Sequence, residues 1–332
     1  MIHFQGLCKY ELVIPKQGNS GEIPDFKVLT QNERRYNETD VSYVQYVELL
    51  TAGKTIRLDR GGDVYVDDVL ITLDASYPGF DITRNGRFVR VETDYGLVVE
   101  SDGEWTTLVQ IPDKFRGKVY GLCGDADGNT ENDLTTKDGS DMTGLDNMYT
   151  SVGDSYRVDT NIPCMSPEND TDVTCSAEMQ TLLDQDGYCN LITDLDGVFG
   201  ACSKAYVSPA GDFRSTCRYD VCVNAADSGL AKMAACRNME AFARMCAEMG
   251  YEGIDWRGVA NCPIECGVNM LYAVSTSACS PTCENPDAVR KCSLPDKENC
   301  ICSAADMVVK DGACVSASTC GCTYNGRHFN VR

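Results

Sequence analysis

The densest chemistry in this chain lies in Gly121-Leu122-Cys123-Gly124-Asp125-Ala126-Asp127-Gly128-Asn129-Thr130-Glu131-Asn132-Asp133-Leu134-Thr135-Thr136. Asp125, Asp127, Asn129, Asn132 and Asp133 fall within nine residues. Calcium, a hard cation, takes about six to eight oxygen ligands from carboxylates, amides and carbonyls, and a tight loop of this kind can supply most of them. The spacing excludes an EF-hand: counted from Asp125, Thr130 stands where the glycine belongs and Thr136 where the bidentate glutamate belongs. Asp, Asn and Gly are also the ordinary turn residues, so residue types alone leave a solvated acidic turn equally open.

Other chemistry is sparse. The only histidines, His3 and His328, stand at the two ends, which argues against Ser-His-Asp or Cys-His catalysis and against a His-based zinc site. Cys262 and Cys266 are too far apart in sequence for a thioredoxin-like pair. Asp184-Gln185-Asp186-Gly187 and Asp194-Leu195-Asp196-Gly197 read as turns rather than paired catalytic carboxylates. The chain is not expected to be an enzyme.

The elements that must hold the acidic loop are short strands. Val89 and Val91 alternate with Arg90 and Glu92, the pattern of a half-buried strand. Asn85-Gly86 and Asp102-Gly103 are two-residue hairpin signals. Val64-Tyr65-Val66 and Val69-Leu70-Ile71-Thr72-Leu73 add β-branched runs. The expectation is an antiparallel β-sandwich whose acidic loop leaves after Cys123 and returns near Tyr149. Residues 165–174 are polar and carry a proline, a linker pattern. Beyond them Asp227-Ser228 can cap a helix and Gly250 can end it. Leu230, Met233, Ala234, Phe242, Met245 and Met249 between them fall on roughly helical spacing, with the methionines as core filler.

Bulk properties point outside the cell. There are twenty cysteines in 332 residues, three before residue 170 and seventeen after it. An even, dense count suits a disulfide framework in an oxidising compartment, and the asymmetry suggests a core-held first domain followed by a stapled remainder. The net charge of −21 disfavours nucleic acid and anionic membrane surfaces as partners. No apolar stretch is long enough to insert in a bilayer. Asn37 and Asn169 head glycosylation sequons. A disulfide-rich chain that starts Met1-Ile2-His3-Phe4-Gln5, with no signal peptide pattern, is expected to be a piece of a longer secreted protein or a gene model missing its start.

The order of residues in the acidic loop closely resembles the calcium loop of von Willebrand factor type D domains, the family found in mucins, zonadhesin-like and Fc-binding mucus proteins. Phe4-Gln5-Gly6-Leu7-Cys8-Lys9-Tyr10-Glu11-Leu12-Val13 resembles that family's early strand, and Val152-Gly153-Asp154-Ser155-Tyr156-Arg157-Val158, then Cys164, its closing strand. The resemblance spans 1–164. Cys189, Cys202, Cys217, Cys222, Cys236, Cys246, Cys262 and Cys266, with Tyr219-Asp220-Val221 and Trp256-Arg257, resemble the eight-cysteine helical module that follows, taken as 175–266. Ser277-Ala278-Cys279-Ser280-Pro281-Thr282-Cys283-Glu284-Asn285-Pro286 resembles a trypsin-inhibitor-like module, a small loop-rich disulfide module over 267–320. Counted from Cys266, eight of the family's ten cysteines are present: Ser275 replaces one, and the other is absent between Cys292 and Cys300. Residues 321–332 resemble the start of a further, truncated module.

The resemblance implies a Ca2+ site made by Asp125, Asp127, Asn132 and Asp133 side chains with the Asn129 carbonyl. A further family ligand comes from a strand before Phe4, so the site is expected to be formed but under-coordinated. Tyr120 replaces the first cysteine of a Cys-x-x-Cys seen in some relatives, which removes thiol exchange there. The implied disulfides are Cys8–Cys164, Cys175–Cys222, Cys189–Cys217, Cys202–Cys246, Cys236–Cys262, Cys266–Cys300, Cys279–Cys292, Cys283–Cys320 and Cys302–Cys314, leaving Cys123 and Cys322 unpaired. The expected function is a calcium-binding structural or assembly unit of a secreted, mucin-like, adhesive or matrix glycoprotein. Its expected partners are other domains of the same chain or other extracellular glycoproteins, and oligomerisation is compatible with this reading. The alternative is a serine-protease inhibitor acting through 293–299, a segment that lacks its local anchoring cysteine.

Overall fold

A computed structural model describes residues 4–16, 23–35, 41–85, 87–130, 132–159, 164–165, 175–185, 187–283, 285–292, 296–310, 312–324 and 327–329, with backbone alone at 85, 322–324 and 327–329. The chain divides into two compact units, Met1–Asp172 and Val173–Arg332. The sequons at Asn37 and Asn169 and residues 166–174 of the expected linker lie outside the described residues.

The first unit is built from strands β1 (Lys9–Pro15), β2 (Phe26–Glu33), β3 (Tyr43–Thr51), β4 (Lys54–Asp59), β5 (Val64–Val66), β6 (Val69–Leu70), β7 (Ala75–Tyr77), β8 (Phe80–Asn85), β9 (Phe88–Thr93), β10 (Val98–Ser101), β11 (Thr107–Gln110) and β12 (Val119–Tyr120). One sheet runs β12-β1-β2-β3-β4-β5-β6 and the other β11-β10-β9-β8-β7, with antiparallel pairing throughout. Alternate residues of both sheets, among them Val28, Val47, Ile56, Ile82, Val91 and Val99, share one apolar core with Phe115 from a short 3-10 turn at Asp113–Phe115.

Local chemistry explains some turns and tertiary context others. Thr51 pairs with Lys54, so Ala52-Gly53 closes a two-residue hairpin with both φ positive, at 50° and 71°. Asn85 pairs with Phe88 across the turn signalled by Asn85-Gly86. The Asp102-Gly103 turn is longer than expected. Ser101 pairs with Thr107, and Asp102 Oδ1 accepts the amides of Glu104, Trp105 and Thr106 at 2.8–2.9 Å. β9 is not half-buried: Arg90 is 7% exposed, 3.0 Å from Glu92 and 3.6 Å from the buried Glu100 on β10. The pair with Glu100 lets Arg90 go inside, whereas Glu92 on the same face stays exposed. In the run 69–73 only Val69 and Leu70 form a strand, an exposed edge.

The expected closing strand at 152–158 is mostly helix α1 (Met148–Ser155). Gly153 sits against the Phe4 ring, where a Cβ would come within 2.3 Å of its carbons. Strand character survives as one bridge between Tyr10 and Arg157, flanked by Glu11 N to Tyr156 O and Val158 N to Lys9 O, both 2.9 Å. The Cys8–Cys164 disulfide joins the ends of this unit's described chain.

The second unit starts with helices α2 (Ala177–Leu183), α3 (Gly200–Ala205), α4 (Val207–Val223), α5 (Ser228–Glu248) and α6 (Arg257–Ala260). Asp227 caps α5 by accepting from Gly229 N and Leu230 N at 2.8 and 3.0 Å, and Gly250 follows its end at φ 89°. The buried stripe of α5 is Ala231, Ala234, Ala235, Met239, Phe242 and Cys246. Met233 and Met249, expected in the core, are 40% and 51% exposed. Met233 faces away from that stripe, and Met249 is the C-cap residue. Small disulfide-rich elements follow: β13 (Met270–Thr276), α7 (Ala288–Lys291), β14 (Lys297–Cys302), β15 (Met307–Lys310), β16 (Ala313–Ser316), β17 (Cys322–Tyr324) and β18 (Arg327–Phe329). Strands β13/β14, β15/β16 and β17/β18 pair as separate antiparallel ribbons.

Eight disulfides close this unit: Cys175–Cys222, Cys189–Cys217, Cys202–Cys246, Cys236–Cys262, Cys266–Cys300, Cys279–Cys292, Cys283–Cys320 and Cys302–Cys314. A buried ion cluster ties its helices to its ribbons. The Arg257 guanidinium donates to both carboxylate oxygens of Glu298 at 2.6 and 2.7 Å, lies 3.3 Å from Glu240 and covers the Trp256 ring. Among the described residues no helix is long and apolar enough to cross a membrane.

Candidate metal centre

The acidic loop grows out of the edge of the first sheet. Strand β12 pairs with the end of β1, Ile14 opposite Tyr120. Gly121 lies so close to β1 that a Cβ would come 2.2 Å from Leu12 O, at φ 147°. Only glycine fits that approach. The next amides keep the loop on β1: Leu122 N donates to Glu11 O at 3.0 Å and Cys123 N to Leu12 O at 3.1 Å. The far side of the loop is braced by Lys137, whose amide donates to Ser155 Oγ at 3.0 Å and whose ammonium pairs with the buried Glu11. Tyr156 Oη donates to Thr135 O at 3.2 Å. Burial, then Tyr120, Glu11 and Asp125, push its phenol up to about 12.

Between these braces lies a cavity of about 550 Å³ lined by Lys16, Gly124, Asp125, Asn132, Asp133 and Tyr156 among others. Gly124, at φ 73°, forms its floor: a Cβ there would stand 2.2 Å from Asp133 Oδ1. Burial, and then the charges of Asp125 and Asp127, raise the Asp133 carboxyl above its ordinary range. Two carboxylates, Asp125 and Asp133, beside the Cβ-free Gly124 give the pocket oxygens of the kind a hard cation takes.

The loop also satisfies itself. Asp125 Oδ1 accepts Asp127 N at 3.1 Å and its Oδ2 accepts the Lys16 ammonium at 2.8 Å. Asp127 Oδ1 accepts Asn129 N at 2.6 Å and its Oδ2 accepts Asn132 Nδ2 at 3.1 Å. These bonds hold the exposed Asp127 carboxyl below its ordinary range, the Asn129 amide contributing most. Asp125, Asn132 and Asp133 therefore line one cavity, whereas Asp127 and Asn129 do not. Among the described residues no three His, Cys, Asp or Glu side chains come close enough together to hold a metal. A bound cation would have to exchange the Asp127 and Asp125 contacts for its own.

Sequence reasoning missed Lys16, Glu11, Lys137 and Tyr156. Only Glu11 and Tyr156 fell inside quoted motifs, and nothing near Lys16 signals a partner 109 residues away. Cys123 is the free cysteine among the described residues. It is exposed to solvent, although surrounding protein pushes its thiol up to about 11; exposure decides access, and the raised pKa limits the thiolate fraction. The side chain of Cys322 lies outside the described residues, as does 293–295 of the suggested inhibitory segment. Glu298 in that segment is held by Arg257 and by Tyr272 Oη at 2.8 Å, and Lys297–Cys302 is paired as β14.

An acidic loop carried by paired antiparallel sheets, followed by a disulfide-stapled helical unit, defines a class of extracellular module. Residues 1–140 match the family model of the von Willebrand factor type D domain, and residues 188–263 match that of the C8 domain. The chain belongs to the von Willebrand factor type D domain family, and like its relatives it is secreted and extracellular. It is 32% identical over 327 residues to the IgGFc-binding protein of Homo sapiens, covering 97% of this chain and 6% of that protein. It is 30% identical over 341 residues to alpha-tectorin of Homo sapiens, covering 100% and 15%. Against zonadhesin of Sus scrofa the identity is 32% over 324 residues, covering 96% and 12%. The chain thus spans 6% to 15% of the length of these relatives.

Proposed function

We propose that this chain is a calcium-binding structural unit of a larger secreted glycoprotein, used for assembly, adhesion or matrix building rather than catalysis. The observation that carries this reading is the Gly124 cradle, where Asp133 is pressed by burial and by the charges of Asp125 and Asp127. A divalent cation relieves that repulsion and gives the oxygens a common partner. Asp125, Asp127, Asn132 and Asp133 supply side-chain oxygens, and Asn129 its carbonyl. Bound calcium would tie the loop to strand β1 and stiffen the sheet edge. The IgGFc-binding protein is named for binding the Fc part of IgG, and we extend to this unit a role in holding a partner protein. The trypsin-inhibitor-like module is taken here as a spacer, since Glu298 is clamped within its own unit.

Calorimetric titration of calcium into the metal-stripped chain tests the site. The wild type should give one binding event. Asp133→Asn and Asp127→Ala should each weaken it at least tenfold, about 1.4 kcal/mol or more. No calcium-dependent heat in the wild type would remove this reading.

A further inference from the structure

The cavity already contains a cation of the protein's own. Lys16 directly follows strand β1, and its amide is fixed by a 2.8 Å bond to Lys118 O. Its ammonium reaches into the cavity and lies 2.8 Å from Asp125 Oδ2. Asp125 is fixed just as firmly, its carbonyl accepting Gly117 N at 2.9 Å. Backbone pairing of β1 with β12 therefore presents the ammonium to Asp125 as a fixed feature of the fold. The other lysine in the cavity, Lys137, is held by Glu11. Lys16 is thus the cation that meets the acidic loop directly.

We infer that Lys16 is a tethered competitor for the calcium site, neutralising Asp125 when the metal is absent and leaving it when the metal binds. This rests on the calcium reading above. The ammonium sits on Asp125 Oδ2, where its charge repels a divalent cation held by the same carboxylate and offsets the negative charge that would attract it, so the two are antagonists. The consequence is regulatory. The metal-free loop is kept folded by an internal charge, and calcium affinity is set lower than the oxygen ligands alone would give. Calcium in excess releases Lys16 to the surface, where 39% of its side chain is already exposed.

The test compares the full 332-residue chain with Lys16→Met and Lys16→Arg by calcium calorimetry and by thermal melting with chelator. Loss of a partly exposed pair corresponds to about two- to fivefold in affinity, so Lys16→Met should bind calcium about that much more tightly. It should also melt lower than wild type in chelator and no lower in calcium. Lys16→Arg, which keeps the charge, should bind like wild type. Equal affinity of wild type and Lys16→Met would overturn the competitor role and leave the calcium site standing. Absence of binding in every form would overturn both. Lys16→Gln replaces Lys16→Met if the apolar variant does not fold.

Discussion

The two units of this chain are held together by opposite means. Met1–Asp172 closes one described disulfide and relies on an apolar core shared by two sheets. Val173–Arg332 closes eight described disulfides, through a helical core of its own and through short ribbons. Two sheets facing each other bury continuous apolar rows and need few staples, whereas short ribbons bury too little and need covalent ones. The core-held unit carries the acidic loop with its Lys16–Asp125 and Lys137–Glu11 pairs, and the stapled unit pairs its charges internally, as at Arg257.

Reduction should break the comparison open most widely. Each native bridge in a small stapled domain contributes about 2–5 kcal/mol. With all bridges reduced, 173–332 should lose amide protection, while β2–β4 and β8–β10 keep theirs, read by hydrogen–deuterium exchange. Simultaneous loss in both units would contradict the division.

Arg257→Ala is expected to cost the second unit about 3–5 kcal/mol in chemical unfolding, because it removes the buried cation shared by Glu240 and Glu298 and leaves them only Arg237 and Tyr272. Adding Glu298→Gln should return part of that loss. An effect below about 1 kcal/mol would mean the cluster is solvated and its salt bridges weak.

A smaller effect should come from Asp220, whose carboxyl burial pushes up to about 6 against an ordinary 3.8, with Asn238 donating to it at 2.8 Å. The residue as a whole is only half-buried, so the effect is taken below its full value. Between 3.8 and about 6 the folded state holds more protons than the unfolded state. Stability of the second unit should therefore fall as pH rises through that window and level off above it. Asp220→Asn should flatten this slope and raise stability at neutral pH by about 1–2 kcal/mol. An unchanged pH profile in Asp220→Asn would show that the group titrates normally.

Legibility from sequence followed the range of the interactions. The α5 cap at Asp227 and the end at Gly250 were readable because both are local hydrogen-bonding and φ requirements. The turn at Asn85 was readable for the same reason. Burial of Arg90 was not, because Glu100 meets it from a neighbouring strand. The helix at 148–155 was missed where a strand was expected, since Gly153 packs on Phe4 from the other end of the unit. In the candidate site, the run of Asp and Asn named the oxygens, and tertiary contact alone set which of them share a cavity. Asp125, Asn132 and Asp133 do, and Lys16 joins them from β1.

The central claim is that calcium acts on the core-held unit through the loop at 121–136. Hydrogen–deuterium exchange of the whole chain with chelator and then with saturating calcium tests it directly. The account predicts added protection at 121–137 and at β1, with α4 and α5 of the stapled unit unchanged, and loss of that added protection in Asp133→Asn. Unchanged exchange at 121–137, or protection that appears equally in α4 and α5, would contradict it.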